Sequence, residues 1–589
     1  MVRVTWDLPV WLQAAEDSHL AVLSDLELRS IDGTPVLYGT TRGGGGLVAY
    51  RLAENDLVRV DSASYTSTFA TGQDSRILLD SIGDTLSLAV TGVNGTGLWL
   101  FEVAANGGFP VQGRVLAGAI LPRDLIQAAT VEARTGQVLL GLTHGSDKIH
   151  LWQIGEDDRL AALPAQSARL GGPDETLIAL GTGMAGGETF VLALSDGGDI
   201  LSSYKVLEDG QLGLAGRHRQ EDGLGIGTPV ALRTVELDGE TYVLVAAQDS
   251  NSISVFRLTA TGRLDPVDHL LDSPETRFGH VNSIEVTVSG GSAYVAASGN
   301  EDGVSLFQLL PGGRLLHLTT LADSLETGLA HISALALSGT RGRLGLAVAS
   351  ATEPGLTWLT ADLGPAGLSV TEPDAKGVLR GTSRNDVLVS DESAERLIAG
   401  GGDDILVDGG GTDTMSGGSG RDVFVLSADG SMDLITDFQP GIDRLDLSGW
   451  TFLRNAGQLT FYARPDGIDI AFRNELLRVR SETGEALTSG YVLSGGFLDG
   501  DRFLPDWSEQ ARIMAAASSG GGEDDEINGA QGRDRLVGGA GDDRLFGRGG
   551  DDTLDGGTGA DYMNGGPGSD RIIVDDAGDR VAESRKWDG

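Results

Sequence analysis

Aspartate returns every ninth residue in two stretches of the last third of this chain. The first series is Asp386, Glu395 (the one substitution), Asp404, Asp413 and Asp422; the second is Asp525, Asp534, Asp543, Asp552, Asp561 and Asp570. Two residues after each comes an apolar side chain, from Leu388 through Phe424 and from Ile527 through Ile572. The full unit reads G-G-x-G-x-D-x-U-x, where U is apolar. It is ungapped at 417–425 and 538–546 and near-ideal at 556–564 and 565–573. Its glycines are Gly400, Gly402, Gly409, Gly411, Gly417, Gly418 and Gly420 in the first block. In the second they are Gly529, Gly532, Gly538, Gly539, Gly541, Gly547, Gly550, Gly556, Gly557, Gly559, Gly565, Gly566 and Gly568. Glycine allows positive φ and lets carbonyl oxygens converge with no Cβ in the way. The carboxylate adds a hard oxygen ligand, and six to eight oxygens at about 2.3–2.6 Å are what Ca²⁺ requires. A disordered Gly/Asp linker would not hold an apolar residue in register through both series.

On these residues the two blocks resemble the calcium-binding β-roll repeats of RTX proteins. The resemblance implies that each nonapeptide is a six-residue turn followed by a short strand, and that two nonapeptides make one turn of a flattened right-handed spiral. Repeats i and i+2 then stack with an ion between them. The stacked pairs are Asp386/Asp404, Glu395/Asp413 and Asp404/Asp422, then Asp525/Asp543, Asp534/Asp552, Asp543/Asp561 and Asp552/Asp570. Counting pairs gives roughly six or seven Ca²⁺ ions. Glu395 sits in a loop without glycine (SDESAE), which makes its pair the weakest. Residues 427–449 resemble the segment that closes the roll in serralysin-type C-terminal regions. Asp433, Asp437, Phe438, Gly441, Asp443 and Asp446 fill that pattern, which implies Asp437 or Asp443 as a ligand of the last site. The protease is not implied, because no H-E-x-x-H occurs. RTX proteins typically leave the cell by type I secretion without a cleaved leader. The resemblance therefore implies the secretion machinery as a partner during export and an extracellular or cell-surface location.

The first 370 residues must fold by other means, and they too repeat. Tyr50, Phe101, Trp152, Tyr204, Phe256, Phe307 and Leu359 recur at intervals of 51 or 52, each within an apolar strand. Every unit predicts four short strands with Gly-containing turns, and seven such units predict an all-β, seven-bladed β-propeller. Units such as 242–264 (YVLVAAQDSNSISVFRLTATGRL) look like the lactonase-type propellers related to 6-phosphogluconolactonase. His280 and His331 stand where that family often carries a histidine. The loops between second and third strands carry His144, Asp147, Asp196, Asp199, Asp249, Asn251, Asn300, Glu301 and Asp302, an acidic rim suited to a cation or a polar ligand. The expected organisation is a propeller over 1–372, a first roll over 373–426, and a roll-closing segment over 427–519. A second roll over 520–589 completes it. The closing segment is predicted to form a small antiparallel sheet from 459–463, 468–472 and 476–480, and a helix over 508–517 capped by Ser508. The blades are expected to fold without ions, so a cut at 373–376 should free them.

The chain has 589 residues with 43 Lys+Arg against 85 Asp+Glu, a formal net charge of −42. Such a surface argues against nucleic acid and against anionic membranes. It suits a chain that repels itself until cations neutralise it. Cysteine is absent, and no apolar run approaches the length needed to span a bilayer. The N-terminus shows no Sec signal peptide. No G-x-S-x-G elbow or P-loop is present. Two functions remain. One is a secreted, calcium-dependent protein whose propeller binds an extracellular ligand or surface partner. The other is a secreted lactonase-like or other hydrolase, with His280, His331, Arg277 and Glu301 as catalytic candidates at the channel mouth. The second requires those four to converge on one pocket.

Overall fold

Seven antiparallel sheets follow one another from the N-terminus to Asp362, each lying flat against the next. The computed structural model describes residues 4–14, 20–21, 23–41, 46–53, 56–64, 76–82, 85–91, 98–109, 113, 116, 118–119, 121–155, 159–167, 176–196, 201–219, 224–340, 342–391, 393–494, 496–498, 501–502, 517–519, 524–528, 535–548, 553–566 and 571–582. Blade 6 shows the construction. Strands Ser283–Ser289, Ser292–Ser298, Gly303–Leu309 and Leu315–Ala322 pair in sequence order, joined by tight turns. The second and third strands are buried along nearly their whole length because both of their faces meet neighbouring blades. Alternation of apolar and polar residues is therefore lost there, and apolar runs such as AYVAA take its place. The recurring aromatic of each unit lies on the third strand and is buried, from Tyr50 to Phe307, with Leu359 in the seventh blade.

The ring is closed by the start of the chain. Val10–Gln13 and Thr5–Trp6 pair antiparallel with Gly355–Asp362 and supply the outermost strand of blade 7. Leu23, Leu26 and Leu37 of blade 1 share an apolar cluster with Ala334, Ala347 and Trp358 of blade 7. The architecture is thus the all-β propeller expected.

After Asp362 the chain winds into two parallel sheets. One is formed by Ala366–Val370, Asn385–Val389, Ile405–Val407, Val423–Val425 and Arg444–Asp446. The other is formed by Val378–Arg380, Arg396–Gly401, Thr414–Ser419 and Met432–Phe438. Successive strands alternate between the sheets, as the nine-residue period requires. Leu388, Leu397, Leu406, Met415 and Phe424, the eighth residues of their repeats, are fully buried in the core between the sheets. The second sheet is extended by Thr460–Arg464, Gly467–Phe472 and Glu475–Ser481. This is the predicted antiparallel insert, within one residue at each boundary. Residues 508–516 of the predicted helix lie outside the described residues, and Ala517 opens a strand.

The first roll is packed on the propeller. Its first sheet turns Val387, Ile405, Val407, Val423 and Val425 outward, into one apolar cluster with Leu310, Leu316 and Leu318 of blade 6. Polar groups complete the seam. Arg502 forms a buried ion pair with Asp268, and its Nε donates to Ser448 Oγ at 3.0 Å. Arg314 donates to Asp446 Oδ2 at 3.2 Å and to Ser448 Oγ at 3.1 Å. Burial alone would raise the Asp446 carboxyl, but Arg314, Arg502 and Arg444 overcome it and hold the group down at about 2. Asp501–Arg502 adds a fifth strand to blade 5. Residues 1–503 form one compact unit and residues 504–589 a second.

The second unit is another pair of parallel sheets. Ala517–Ser519, Arg535–Ala540, Thr553–Thr558 and Arg571–Ile573 form one, and Glu526–Asn528, Arg544–Phe546, Tyr562–Asn564 and Arg580–Ala582 form the other. Ile527, Leu536, Leu545, Leu554 and Met563 make its core.

Candidate calcium centres

Each sixth residue of the first roll is buried, and its carboxylate is used in two different ways. One oxygen joins the turns. The backbone N–H of Asp386 donates to Asp404 Oδ1 at 2.7 Å, that of Glu395 to Asp413 Oδ1 at 2.8 Å, and that of Asp404 to Asp422 Oδ1 at 3.0 Å. The second roll repeats the ladder, Asp525 to Asp543 and Asp543 to Asp561, both at 2.8 Å. The other oxygen is left over. Oδ2 of Asp404, Asp413, Asp422, Asp543 and Asp561 is buried and has no hydrogen-bond partner. A buried carboxylate oxygen without a partner costs several kcal/mol unless a cation or a proton meets it.

The turn is built to leave that oxygen free. A Cβ on Gly417 would collide with Asp422 Oδ2, and one on Gly538 or Gly556 with Oδ2 of Asp543 or Asp561. Gly418 holds φ at 91°, in the left-handed region, and an added Cβ there would strike the Gly400 carbonyl oxygen one turn below. Glycines thus bring carbonyl oxygens and carboxylates to the same place, a donor set that fits Ca²⁺. Electrostatics agrees. Burial, reinforced by neighbouring carboxylates, pushes Asp404, Asp413, Asp422 and Asp443 up to about 7 and Asp433 up to about 6. Each of these groups favours either a proton or a cation at its side.

The pairs Asp386/Asp404, Glu395/Asp413, Asp404/Asp422, Asp525/Asp543 and Asp543/Asp561 are brought together. The Glu395 pair forms despite its glycine-free loop, with Ser390 bridging Glu395 and Asp413. Asp386 differs from its successors, because Thr382 supplies N–H and O–H donors to its carboxylate. Gly529, Gly532, Asp534, Gly550, Asp552, Gly568 and Asp570 lie outside the described residues. The ladder also runs beyond the repeats read from sequence. Asp413 donates to Asp433 Oδ1 at 2.9 Å, Asp422 to Asp443 Oδ1 at 3.1 Å, and Asp561 to Asp579 Oδ1 at 3.0 Å. Asp579 keeps the nine-residue register after Asp570 and has Val581 two residues on, so the signal was present. Spacing slips to 20 and 21 residues at Asp433 and Asp443, which no fixed period finds but which the roll-closing pattern names. Asp437 sits apart from the ladder. It accepts from Ser416 Oγ at 2.6 Å and from the N–H groups of Gly417 and Gly418, and so caps their turn.

The propeller candidates fall into two local groups. The Arg277 guanidinium donates to the Glu301 carbonyl oxygen at 2.9 Å. The exposed Glu301 carboxyl is raised by burial and by Asp272, with Arg277 and His280 opposing. His331 pairs instead with Asp302, its backbone N–H and its Nδ1 reaching Oδ1 at 2.9 and 3.3 Å. Both histidines are exposed and have φ near +50°, and the His280 N–H is accepted by Asn251 Oδ1. They open equivalent strands in a duplicated D-S-x-E-T loop, in which Asp272 and Asp323 each bind the threonine four residues on. In the rim, Asp196 and Asp249 accept from Thr176 and Thr228 of their own blades; Asp199 lies outside the described residues.

The geometry defines an all-β protein that joins a seven-bladed propeller to calcium-binding parallel β-rolls. The family models agree for the C-terminal third. Residues 519–554, 537–572 and 547–581 match the RTX calcium-binding nonapeptide repeat, and residues 378–471 match the serralysin C-terminal region of peptidase M10. No curated protein matches the chain. Solved structures similar to it include a periplasmic gluconolactonase of Pseudomonas aeruginosa. That match has 18% identity and a TM-score of 0.35, over 51% of this chain and 86% of the other. A putative 6-phosphogluconolactonase of Bacteroides fragilis is similar at 16% identity and a TM-score of 0.37, over 56% and 95%. A Lactobacillus plantarum protein is similar at 16% identity and a TM-score of 0.38, over 52% and 86%. Among the described residues, no helix is long and apolar enough to cross a membrane.

Proposed function

We propose that this chain is a secreted, calcium-dependent binding protein. Its rolls fold on Ca²⁺ outside the cell, and its propeller serves as the interaction module for an extracellular ligand or surface partner. The observation that carries the reading is the row of five buried carboxylates whose Oδ2 atoms have no partner, each an open oxygen ligand that a cation would meet. Where Ca²⁺ is scarce, those carboxylates repel and the rolls stay open and exportable, which suits a type I route. Extracellular modules bind Ca²⁺ at roughly 10⁻⁴–10⁻³ M, in reach of calcium outside the cell. Binding is favoured over catalysis because the Arg277 guanidinium is engaged by the Glu301 carbonyl oxygen and His331 by Asp302, contacts that tie neighbouring loops together. The test is circular dichroism of the second unit, residues 504–589, in EGTA and in millimolar Ca²⁺, followed by a glycan and small-molecule screen on the 1–503 unit. A β-sheet spectrum indifferent to EGTA overturns the calcium half. Lactone hydrolysis abolished by Glu301→Gln would move the propeller to the hydrolase reading, for which the raised Glu301 carboxyl beside Asp272 is the supporting feature.

A further inference from the structure

Two turns in the segment that closes the first roll carry side chains their backbone does not favour. Phe452 is the third residue of the β-turn Trp450–Leu453, in which the Leu453 N–H donates to the Trp450 carbonyl oxygen at 3.0 Å, and its φ is +70°. Arg473 is the first of the two residues that join the strands Gly467–Phe472 and Glu475–Ser481, and its φ is +54°. Glycine is the usual occupant of both places, because a bulky side chain is strained there. The chain itself uses glycine at most of its other positive-φ positions.

The two exceptions meet. The Arg473 guanidinium lies over the Phe452 ring, 4.7 Å from its centroid, and 5.4 Å from the centroid of Phe472. Trp450 stacks on Phe472 within 5° of parallel. Trp450 and Phe472 are buried, whereas Phe452 is 49% exposed. The rings hold the guanidinium in place, yet it donates to no described protein group, so its fork of N–H donors is oriented and unused. Beside it opens a cavity of about 220 Å³ lined by Ala428, Thr451, Phe472, Arg473, Asn474 and Glu475. The Glu475 carboxylate is almost wholly buried, is fixed by the Gly430 N–H at 2.9 Å, and keeps lone pairs for a further donor.

This lining selects a ligand class. Glu475, with Asp429 next to it, repels an anion, and Arg473 repels a cation. A neutral ligand remains, one whose polar groups both donate and accept and whose apolar face can lie on a ring. A pyranose has hydroxyls around its edge and C–H groups on its faces. The cavity is smaller than the roughly 300–1,000 Å³ that enclose a drug-sized ligand, so it takes one ring of a longer chain. We propose that the closing segment of the first roll binds a neutral glycan through one pyranose unit, with Arg473, Asn474 and Glu475 on its hydroxyls and Phe452 against its C–H face. The surface belongs to the roll, so it stands whether or not the propeller takes a ligand of its own.

The test is titration of the Ca²⁺-saturated full chain with neutral oligosaccharides of glucose, galactose, mannose and N-acetylglucosamine, read by calorimetry and by tryptophan fluorescence. At least one is expected to bind. Arg473→Gly places in the turn the residue its backbone favours. It is expected to weaken that binding by about tenfold or more and to leave the melting temperature equal or higher. Arg473→Lys should lose most of the affinity as well, because an ammonium lacks the planar fork. Binding that Arg473→Gly leaves intact lies elsewhere on the chain and overturns the proposal. So does a set in which only sulfated or carboxylated sugars bind, or none does. A lower melting temperature for Arg473→Gly would show that the stack serves the fold, and would overturn it too.

Discussion

A buried carboxylate with one oxygen tied to a neighbouring turn has a choice of two partners, and pH selects between them. Burial raises Asp404, Asp413, Asp422 and Asp443 to about 7 when no cation is near. A folded-state value above the unfolded one means that protons stabilise the ion-free roll. That stability is present below the ordinary aspartate range and is lost as pH climbs through about 7. Calcium affinity moves the opposite way, because each ion displaces protons. The expected result is a roll that gains β-structure in EGTA on acidification, and Ca²⁺ binding that releases protons at about pH 6; calorimetry in buffers of different ionisation enthalpy measures the release. A second expectation concerns Asp543, which takes part in two rungs, accepting from Asp525 and donating to Asp561. Asp543→Ala should reduce the calcium stoichiometry of the chain by at least one ion, and an unchanged stoichiometry would show that Oδ2 is not a ligand.

At the scale of elements, the repeat explains the core of the roll, and a second period explains its outer face. Seventh and ninth residues of alternate repeats are Val387 and Val389, Ile405 and Val407, and Val423 and Val425. The repeats between them carry Arg396 and Ile398, and Thr414 and Ser416. One sheet is therefore apolar on both sides and the other on one. Ile405→Ala should destabilise the 1–503 unit by about 2–4 kcal/mol, whereas Thr414→Ala should change it little; denaturant midpoints in saturating Ca²⁺ decide. Much of this was legible in the sequence. Among the described residues the nine-residue register gave the buried sixth and eighth positions of the rolls, and the 51- or 52-residue register placed the blades. The valine alternation was also written there, but it has a period of 18 and concerns a surface that a solitary roll would expose. Arg502 with Asp268 was not legible, since nothing local links residues 234 apart.

At the scale of the molecule, the seam makes the propeller and the first roll partners in stability. The sequence suggested that cutting at 373–376 would free an independent propeller. The structure shows that such a cut uncovers Leu316 and Leu318 of blade 6 and leaves Asp268 buried without Arg502. A fragment ending near 375 should melt lower and aggregate more readily than residues 1–503. Arg502→Met in the full chain should cost about 3–5 kcal/mol, as expected when one member of a buried pair is stranded. Calcium should be felt across the seam as well: in EGTA, amide exchange is expected to quicken in the strands of blade 6 and stay unchanged in blades 3 and 4. Equal exchange in blade 6 with and without Ca²⁺ would separate the two parts.

The apolar outer face of one sheet also imposes a rule of parity on the first roll. Because successive repeats alternate between the sheets, gain or loss of a single nonapeptide before the seam would exchange the sheets. Arg396, Thr414 and Ser416 would then face blade 6 and the valines would face water. Gain or loss of two nonapeptides would leave every valine where it is. The first roll can therefore change length in steps of 18 residues but not of 9, although the calcium ladder by itself would accept either. The second roll carries Glu526, Arg544, Tyr562, Thr553 and Arg571 at the corresponding seventh positions. With no such stripe on either face, it is free to count by nines.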